Sequence, residues 1–332
     1  MTYSYGIGCM VYELTWDNMS TFSTSKKNDA QQAGISLIVV LWLLVVMTMM
    51  VMSFSFGIRT EVMLASNYRS QAQALSLAES AVWRGVAMVL NKASAQSVGQ
   101  IIRLEGSVYE LDTGDTSEIK VSLQSSNGLI DLNRAPAELI KGLLLSVNIP
   151  QNQSEIIVDS LLDWRDADNL KHLSGAESAD YTALGLSYGA KNGLINSVDE
   201  LARIHGVDDE LFDLLSPLLT VYSGQSRIAI ASAPRKVLLT LPGMTVELVD
   251  NVMLARDRNI DNINLDLIPE EARGFIGAGS DEYIRVSGMA IVNNAVSGII
   301  AEIQFVPSTT SPVTIVSWFQ EIDTIFEEAN EQ

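Results

Sequence analysis

The chain has 332 residues, 47% of them hydrophobic, and its 40 acidic against 21 basic residues give a formal net charge of −19. That length suits two folded units with real cores, and so acidic a surface repels phosphate backbones, which argues against nucleic acid as a partner. Cys9 is the only cysteine, and His172 and His205 are the only histidines. Nothing after Gly34 carries a thiol, so that part has neither a disulfide nor a cysteine zinc site, no G-x-S-x-G elbow occurs, and the chain is expected not to be an enzyme.

In chain order, residues 1–34 form a polar leader holding Lys26 and Lys27, and residues 35–56 are an uncharged apolar run. A helix of about 22 residues rises roughly 30 Å, the thickness of a bilayer core. The lysines before it, against Arg59 soon offset by Glu61 after it, favour a cytoplasmic N-terminus by the positive-inside rule and an exported remainder. From Arg59 to Ala93 apolar residues such as Val62, Ala65, Ala72, Leu75, Ala78, Val82 and Val86 recur mostly at three- and four-residue steps. This predicts one amphipathic helix continuing the apolar segment.

Past Ala93 the period changes to two. Ser107–Leu111 and Glu118–Leu123 alternate polar with apolar around Thr113-Gly114-Asp115, which predicts a hairpin. Tyr283–Val292, Ser297–Val306 and Val313–Phe319 are rich in β-branched and aromatic residues, with turn signals at Asn293-Asn294 and Ser311-Pro312. They are expected to complete the same sheet. Residues 133–270 are helical in pattern and read as an insertion, and the acidic end, 327–332, as a frayed tail.

An internal repeat organises the insertion. Ile130-Asp131-Leu132-Asn133-Arg134-Ala135-Pro136 matches Ile228-Ala229-Ile230-Ala231-Ser232-Ala233-Pro234; Leu139 and Leu143 fall opposite Val237 and Leu241, and Arg165-Asp166 has a near counterpart in Arg256-Asp257. Each proline is expected at the first helical position, where its missing N–H costs nothing. Ser197, with Glu200 three residues on, predicts a third helix start. Short helices joined by Gly turns suit helix-hairpin-helix DNA modules, but Asp208, Asp209, Glu210, Glu247 and Asp250 crowd those turns and would repel phosphate. Packing modules are the expected reading.

After Trp164, Asp166, Asp168, Glu177 and Asp180 fall in a Gly- and Ser-containing loop able to fold on itself. Hard cations such as calcium take several oxygen ligands, although the spacing is not that of an EF-hand. The alternative is a solvated acidic loop. Asp163 is expected to face a helix partner such as Arg165, and Trp164 and Trp318 are expected in the core or an interface.

The stretch Gln32-Ala33-Gly34-Ile35-Ser36-Leu37 resembles a type IV prepilin leader. The resemblance implies that a prepilin peptidase cuts after Gly34 on the cytoplasmic side and methylates the new amino terminus at Ile35. The leader is longer than such leaders usually are, which makes Met10 and Met19 candidate starts. The fifth residue after the cut is Glu in most pilins; here it is Val39. Within the type II secretion system that departure is a mark of the minor pseudopilin K family. Arg59-Thr60-Glu61, Ala78-Glu79-Ser80-Ala81, Leu162-Asp163-Trp164-Arg165-Asp166-Ala167-Asp168, Asn196-Ser197-Val198-Asp199-Glu200-Leu201 and Leu219-Thr220-Val221-Tyr222-Ser223 also resemble that family.

The resemblance implies an α+β fold: a long pilin-like N-terminal helix packed on an antiparallel sheet, with a large inserted all-α domain of helix-hairpin-helix or SAM-like repeats. The expected domains are 1–34 leader, 35–56 transmembrane segment, 57–132 helix and first strands, 133–270 helical insertion, 271–326 closing strands and 327–332 tail. It further implies calcium in the helical-domain loop, an inner-membrane anchor with a periplasmic body, and a place at the tip of a pseudopilus. The implied partners are minor pseudopilins of the I and J types, the major pseudopilin, the prepilin peptidase and the secreted proteins. A minor pilin or tip adhesin of a type IV pilus is the alternative, and a membrane-anchored nucleic-acid module a more remote one.

Overall fold

A computed structural model describes residues 33–92, 101–112, 117–258, 265–306, 312–322 and 326. The chain falls into two units, residues 1–64 and 65–332. Helix α1, Ala33–Leu90, begins in the first unit and ends in the second. Within the first, every side chain from Ser36 to Leu64 is solvent-exposed, Trp42, Phe54 and Phe56 included. It is the one helix among the described residues long and apolar enough to cross a membrane. A helix this apolar that buries none of its surface has lipid as its natural solvent.

In the second unit a five-stranded antiparallel sheet has the order β1-β2-β7-β8-β9. Its strands are β1 Glu105–Glu110, β2 Glu118–Ser125, β7 Tyr283–Val292, β8 Ala295–Phe305 and β9 Val313–Phe319. The expected turn at Asn293-Asn294 is a two-residue hairpin, with both residues at positive φ (47° and 70°), where Asn is better tolerated than most side chains. The other expected turns, at Thr113-Gly114-Asp115 and at Ser311, lie outside the described residues.

Residues 65–90 of α1 run along the strands. Near its start Ser70 Oγ accepts from Asn293 Nδ2 at the β7–β8 turn, and just past its end Lys92 Nζ meets Asp281 at 2.9 Å, before β7. Two glycines allow this close approach: a Cβ on Gly85 would stand 2.7 Å from Val121 and 2.8 Å from Val286, and one on Gly288 would stand 2.5 Å from Ala78 O. The helix therefore lies over β2 and β7. Ala78, Ala81, Val82 and Val86 bury their face against Val121, Leu123, Val286 and Ala301, each buried side chain contributing on the order of 1–3 kcal/mol.

Everything between β2 and β7, residues 126–282, belongs to the inserted region, which has its own core of residues such as Leu139, Leu143, Ile157, Leu161, Val237 and Leu241. The repeat holds in three dimensions. β3, Ile130–Asp131, pairs in parallel with β4, Leu219–Thr220, and β5, Ile228–Ala229, pairs in parallel with β6, Ile276–Gly277. These two-residue ladders lie below any sequence period, so a purely helical insertion was the expectation. Helices α2, Ala137–Ser146, and α3, Gln151–Arg165, follow β3. Two shorter helices intervene, α4 Ser178–Ala183 and α5 Asp209–Leu215. After β5 come α6 Arg235–Leu238, α7 Val246–Arg258 and α8 Glu270–Arg273.

Pro136 and Pro234 occupy the N-cap rather than the first helical position, both extended at ψ 156°. The fixed proline φ still suits that position, and no helical N–H is lost. Ser197 caps as expected, accepting from Asp199 N at 3.3 Å, although the turn it opens, Val198–Arg203, is a 3-10 helix.

Each repeat closes on an arginine turned inward, half-buried Arg165 in the first and buried Arg256 in the second. Arg165, at the end of α3, donates from Nη2 to Ala135 O at 2.9 Å and from Nη1 to Leu132 O. Arg256, in α7, donates from Nη2 to Ile230 O, the counterpart of Leu132. Burial lowers both guanidinium pKa values, that of Arg256 to about 10. The insertion is tied to the sheet through Arg285, which pairs with buried Glu302 at 2.7 Å and donates to Leu219 O at 3.0 Å.

Candidate metal centre

The loop after α3 is held at both ends. Trp164, buried in the last turn, meets Tyr181 edge-on at 5.6 Å and Tyr188 at 6.2 Å, so the aromatic trio draws residues 181–188 back onto α3. With Arg165 turned inward to the carbonyls of β3 and its turn, Asp163 does not pair with it, contrary to expectation. Asp163 is instead fully buried; its Oδ1 accepts from His172 N at 3.0 Å and contacts His172 Nδ1. Asp159 Oδ2 accepts from Ser174 N at 2.9 Å, and Asp168 Oδ1 from Leu170 N at 2.7 Å. Gly175 is required here, since a Cβ would fall 1.9 Å from Asp163 Oδ2.

This folding brings Asp166, Asp168 and Glu177 together, each with a carboxylate oxygen within 4.8 Å of the others, and sets Asp163, Asp166 and His172 into a second such group. Asp166 is common to both. Asp180 is not among them: its Oδ1 pairs with Lys171 Nζ at 2.7 Å and its Oδ2 accepts from Glu177 N at 2.9 Å, which caps α4. The Lys171 hydrogen bond, followed by the one from Glu177 N, holds the Asp180 carboxyl below the usual range. Sequence spacing placed Asp180 in the loop but could not show that its charge is already answered, nor that Asp163 and His172 join the cluster.

Glu177 supplies the informative observation. It is 6% exposed, its side chain faces the first backbone N–H groups of α4 in a capping box with Asp180, and among the described residues no basic side chain pairs with it. Burial, then Asp163 and Asp166, push its pKa up. A buried carboxylate with no counter-charge beside two more is costly unless a cation completes the site. Two oxygens bound to one calcium at about 2.4 Å can be at most about 4.8 Å apart, so the spacing suits a hard divalent ion. His172 is shifted the other way in charge terms: its hydrogen bond to Asp163 raises its pKa and favours the imidazolium.

At the membrane end, Gly34 and Ile35 lie in the first turn of α1, and Val39 is exposed on it. Of the expected leader, 1–34, residues 1–32 lie outside the described residues.

Residues 65–90 of α1 over an antiparallel sheet, with a helical region inserted between neighbouring strands, make a pilin-like α+β fold. Residues 121–224 match the family model described as type II secretion system (T2SS), protein K. Type II secretion system protein K of Pectobacterium carotovorum subsp. carotovorum is 33% identical over 82 residues, 25% of each chain. The putative type II secretion system protein K of Escherichia coli strain K12 is 24% identical over 207 residues, 58% of this chain and 63% of that one. These matches span a quarter and somewhat under two thirds of the curated relatives' lengths. A chain from the structure of the GspK-GspI-GspJ complex of the enterotoxigenic Escherichia coli type 2 secretion system aligns with a TM-score of 0.50 at 17% identity, covering 77% of this chain and 99% of that one. At that identity the likeness is one of fold. Over residues 121–224 the chain is thus similar to the type II secretion system protein K family.

Proposed function

We propose that the chain is a minor pseudopilin that begins or caps the periplasmic pseudopilus of a type II secretion system. In this reading a prepilin peptidase cuts after Gly34 and methylates Ile35, α1 anchors the mature chain in the inner membrane with its amino terminus cytoplasmic, and the sheet and helical units lie in the periplasm. Its companions are minor pseudopilins of the I and J types and the major pseudopilin, and the secreted proteins meet the finished tip. The reading is supported above all by the insertion of residues 126–282 between paired strands β2 and β7. In a regular filament each subunit is surrounded by neighbours, and so large an addition is accommodated most readily at an end.

Val39 supports the same place. A carboxylate at this position in other pilins pairs with the charged amino terminus of a neighbour inside an apolar bundle, where an unpaired charge is costly. A subunit with none above it has no use for one. Deleting the gene in its host should leave the secreted proteins in the periplasm, and the re-expressed chain should restore export and co-purify with the I-type and J-type companions. Normal secretion by the deletion strain would contradict the proposal.

The loop is proposed to hold calcium through Asp166, Asp168 and Glu177, with Asp163 and His172 in the adjoining group. The ion would supply the positive charge that Glu177 lacks and fasten the loop to the end of α3. A bound ion stabilises the folded chain by RT ln(1 + [L]/Kd), about 2.7 kcal/mol at one hundred times Kd. Millimolar calcium should therefore raise the melting temperature of the wild type and not that of Glu177→Gln. An equal response from both would exclude this site.

A further inference from the structure

We propose that Asn192-Gly193 is a self-modifying site, where the Asn192 amide is hydrolysed to a carboxylate through a cyclic imide and the acidic loop thereby loses a tie to the segment after α4. The chain has two Asn-Gly pairs, Asn127-Gly128 and Asn192-Gly193. Glycine makes such a pair reactive: no Cβ shields its backbone nitrogen, and its free dihedrals let that nitrogen approach the asparagine carboxamide. The fold then sets the two pairs apart.

Asn127-Gly128 is locked in the 3-10 turn Ser126–Gly128. Asn127 is 4% exposed and its Nδ2 donates to Ser280 O, while a Cβ on Gly128 would stand 2.0 Å from Ser232 O. Packing this close leaves no room to close a ring and no water to open one. Asn192-Gly193 lies in residues 184–197, which hold no helix or strand, and both residues are half-buried. The nearest atom to a Cβ placed on Gly193 is Lys191 O at 3.9 Å, and the Gly193 N–H reaches Trp164 O only at 3.4 Å, a long hydrogen bond.

What restrains Asn192 is the acidic loop itself. Its Nδ2 donates to Asp168 O and to Asn169 Oδ1, each at 2.8 Å, and its Oδ1 has no hydrogen-bond partner among the described residues. The carboxamide is therefore free to react when the loop lets go. Gly193 N attacks Asn192 Cγ, the new C–N bond closes the imide, and the Cγ–Nδ2 bond breaks; the Gly193 amide proton leaves with Nδ2 as ammonia. Water then adds to either imide carbonyl and splits its C–N bond, giving aspartate or, with the chain routed through Cγ, isoaspartate. The product carboxylate accepts hydrogen bonds and donates none. It faces Asp168 O and Asn169 Oδ1 with no proton to offer and brings one more negative charge to the loop, so the tie does not re-form. Modification accumulates with the time the loop spends open.

Full-length protein, purified in detergent and aged at neutral pH, should on peptide mapping by mass spectrometry gain aspartate and isoaspartate at position 192 and stay unchanged at Asn127. Asn169→Ala removes one of the two acceptors that hold the carboxamide and should speed conversion about two- to tenfold, the weight of one hydrogen bond. Gly193→Ala should slow it strongly. Asn192→Asp, which carries the product from the start, should be cut by trypsin after Lys171 faster than wild type. An intact Asn192 at a time when a Gly-Asn-Gly peptide aged alongside is fully converted would overturn the proposal, as would conversion of Asn127 at an equal rate. Unchanged conversion in Asn169→Ala, or unchanged tryptic cleavage of Asn192→Asp, would overturn it as well, since Asn192 would then not be the tie that holds the loop.

Discussion

The two repeats of the inserted region share one plan and differ in what they add to it. Each sends a two-residue strand through a turn to a proline-capped helix and fastens the turn with an arginine from a later helix. In the first, Asp131 is buried and accepts from Asn133 N at 2.8 Å, Arg134 N at 3.1 Å, Ser223 Oγ at 2.9 Å and Gly224 N at 2.8 Å; the second has Ala229 at that position. The first arginine is followed directly by the acidic loop, whereas Arg256 lies in the interior near Glu105 of β1. A common packing unit thus has two settings: one copy leads into the acidic loop, and the other brings its arginine beside Glu105 of the sheet.

Making the repeats alike should have the largest effect. Asp131→Ala gives the first repeat the residue of the second, leaves Asn133 N, Gly224 N and the Ser223 hydroxyl without this acceptor while Arg134 N keeps Asp131 O, and should cost about 3–5 kcal/mol, the range for breaking a buried charged contact. Denaturant unfolding measures it; a loss below about 1 kcal/mol would mean that the turn is held by other contacts. Next is the seam where the repeats touch. A Cβ on Gly142 of α2 would fall 2.3 Å from Thr240 O, backbone against a residue just past α6. Gly142→Ala should cost about 1–3 kcal/mol, as overpacking does, even though alanine favours helix.

The smallest effect concerns the second repeat's link to the sheet. Burial pushes the Glu105 carboxyl up, opposed first by Arg256, and one of its oxygens has no hydrogen-bond partner among the described residues. Because the folded chain holds that proton more tightly than the unfolded chain, Glu105 favours folding most below the ordinary carboxylate range. That contribution is lost as pH rises through the raised value. Glu105→Gln should flatten the dependence of melting temperature on pH between about 4 and neutrality, and an unchanged slope would remove Glu105 as its source.

These contrasts also show what could be read from the chain alone. The strands β7 and β9, the Asn293-Asn294 turn and the repeat were legible, because period-two patterning and paired words survive without tertiary information. The two-residue parallel ladders were not, being too short for any period. Arg165 looked like a partner for Asp163 because they are near in sequence; the carbonyls of Leu132 and Ala135, thirty residues earlier, claim it instead. Asp180 resembled Asp166 and Asp168 in spacing, and the approach of Lys171 and of Glu177 N sets it apart.

The account depends most on the membrane end, where Gly34, Ile35 and Val39 stand in the proposed cleavage and packing segment. Intact mass and N-terminal sequencing of the chain purified from membranes of a peptidase-competent cell test it most directly. The account predicts a mature protein that begins at a methylated Ile35. A chain that keeps residues before Ile35 would contradict it.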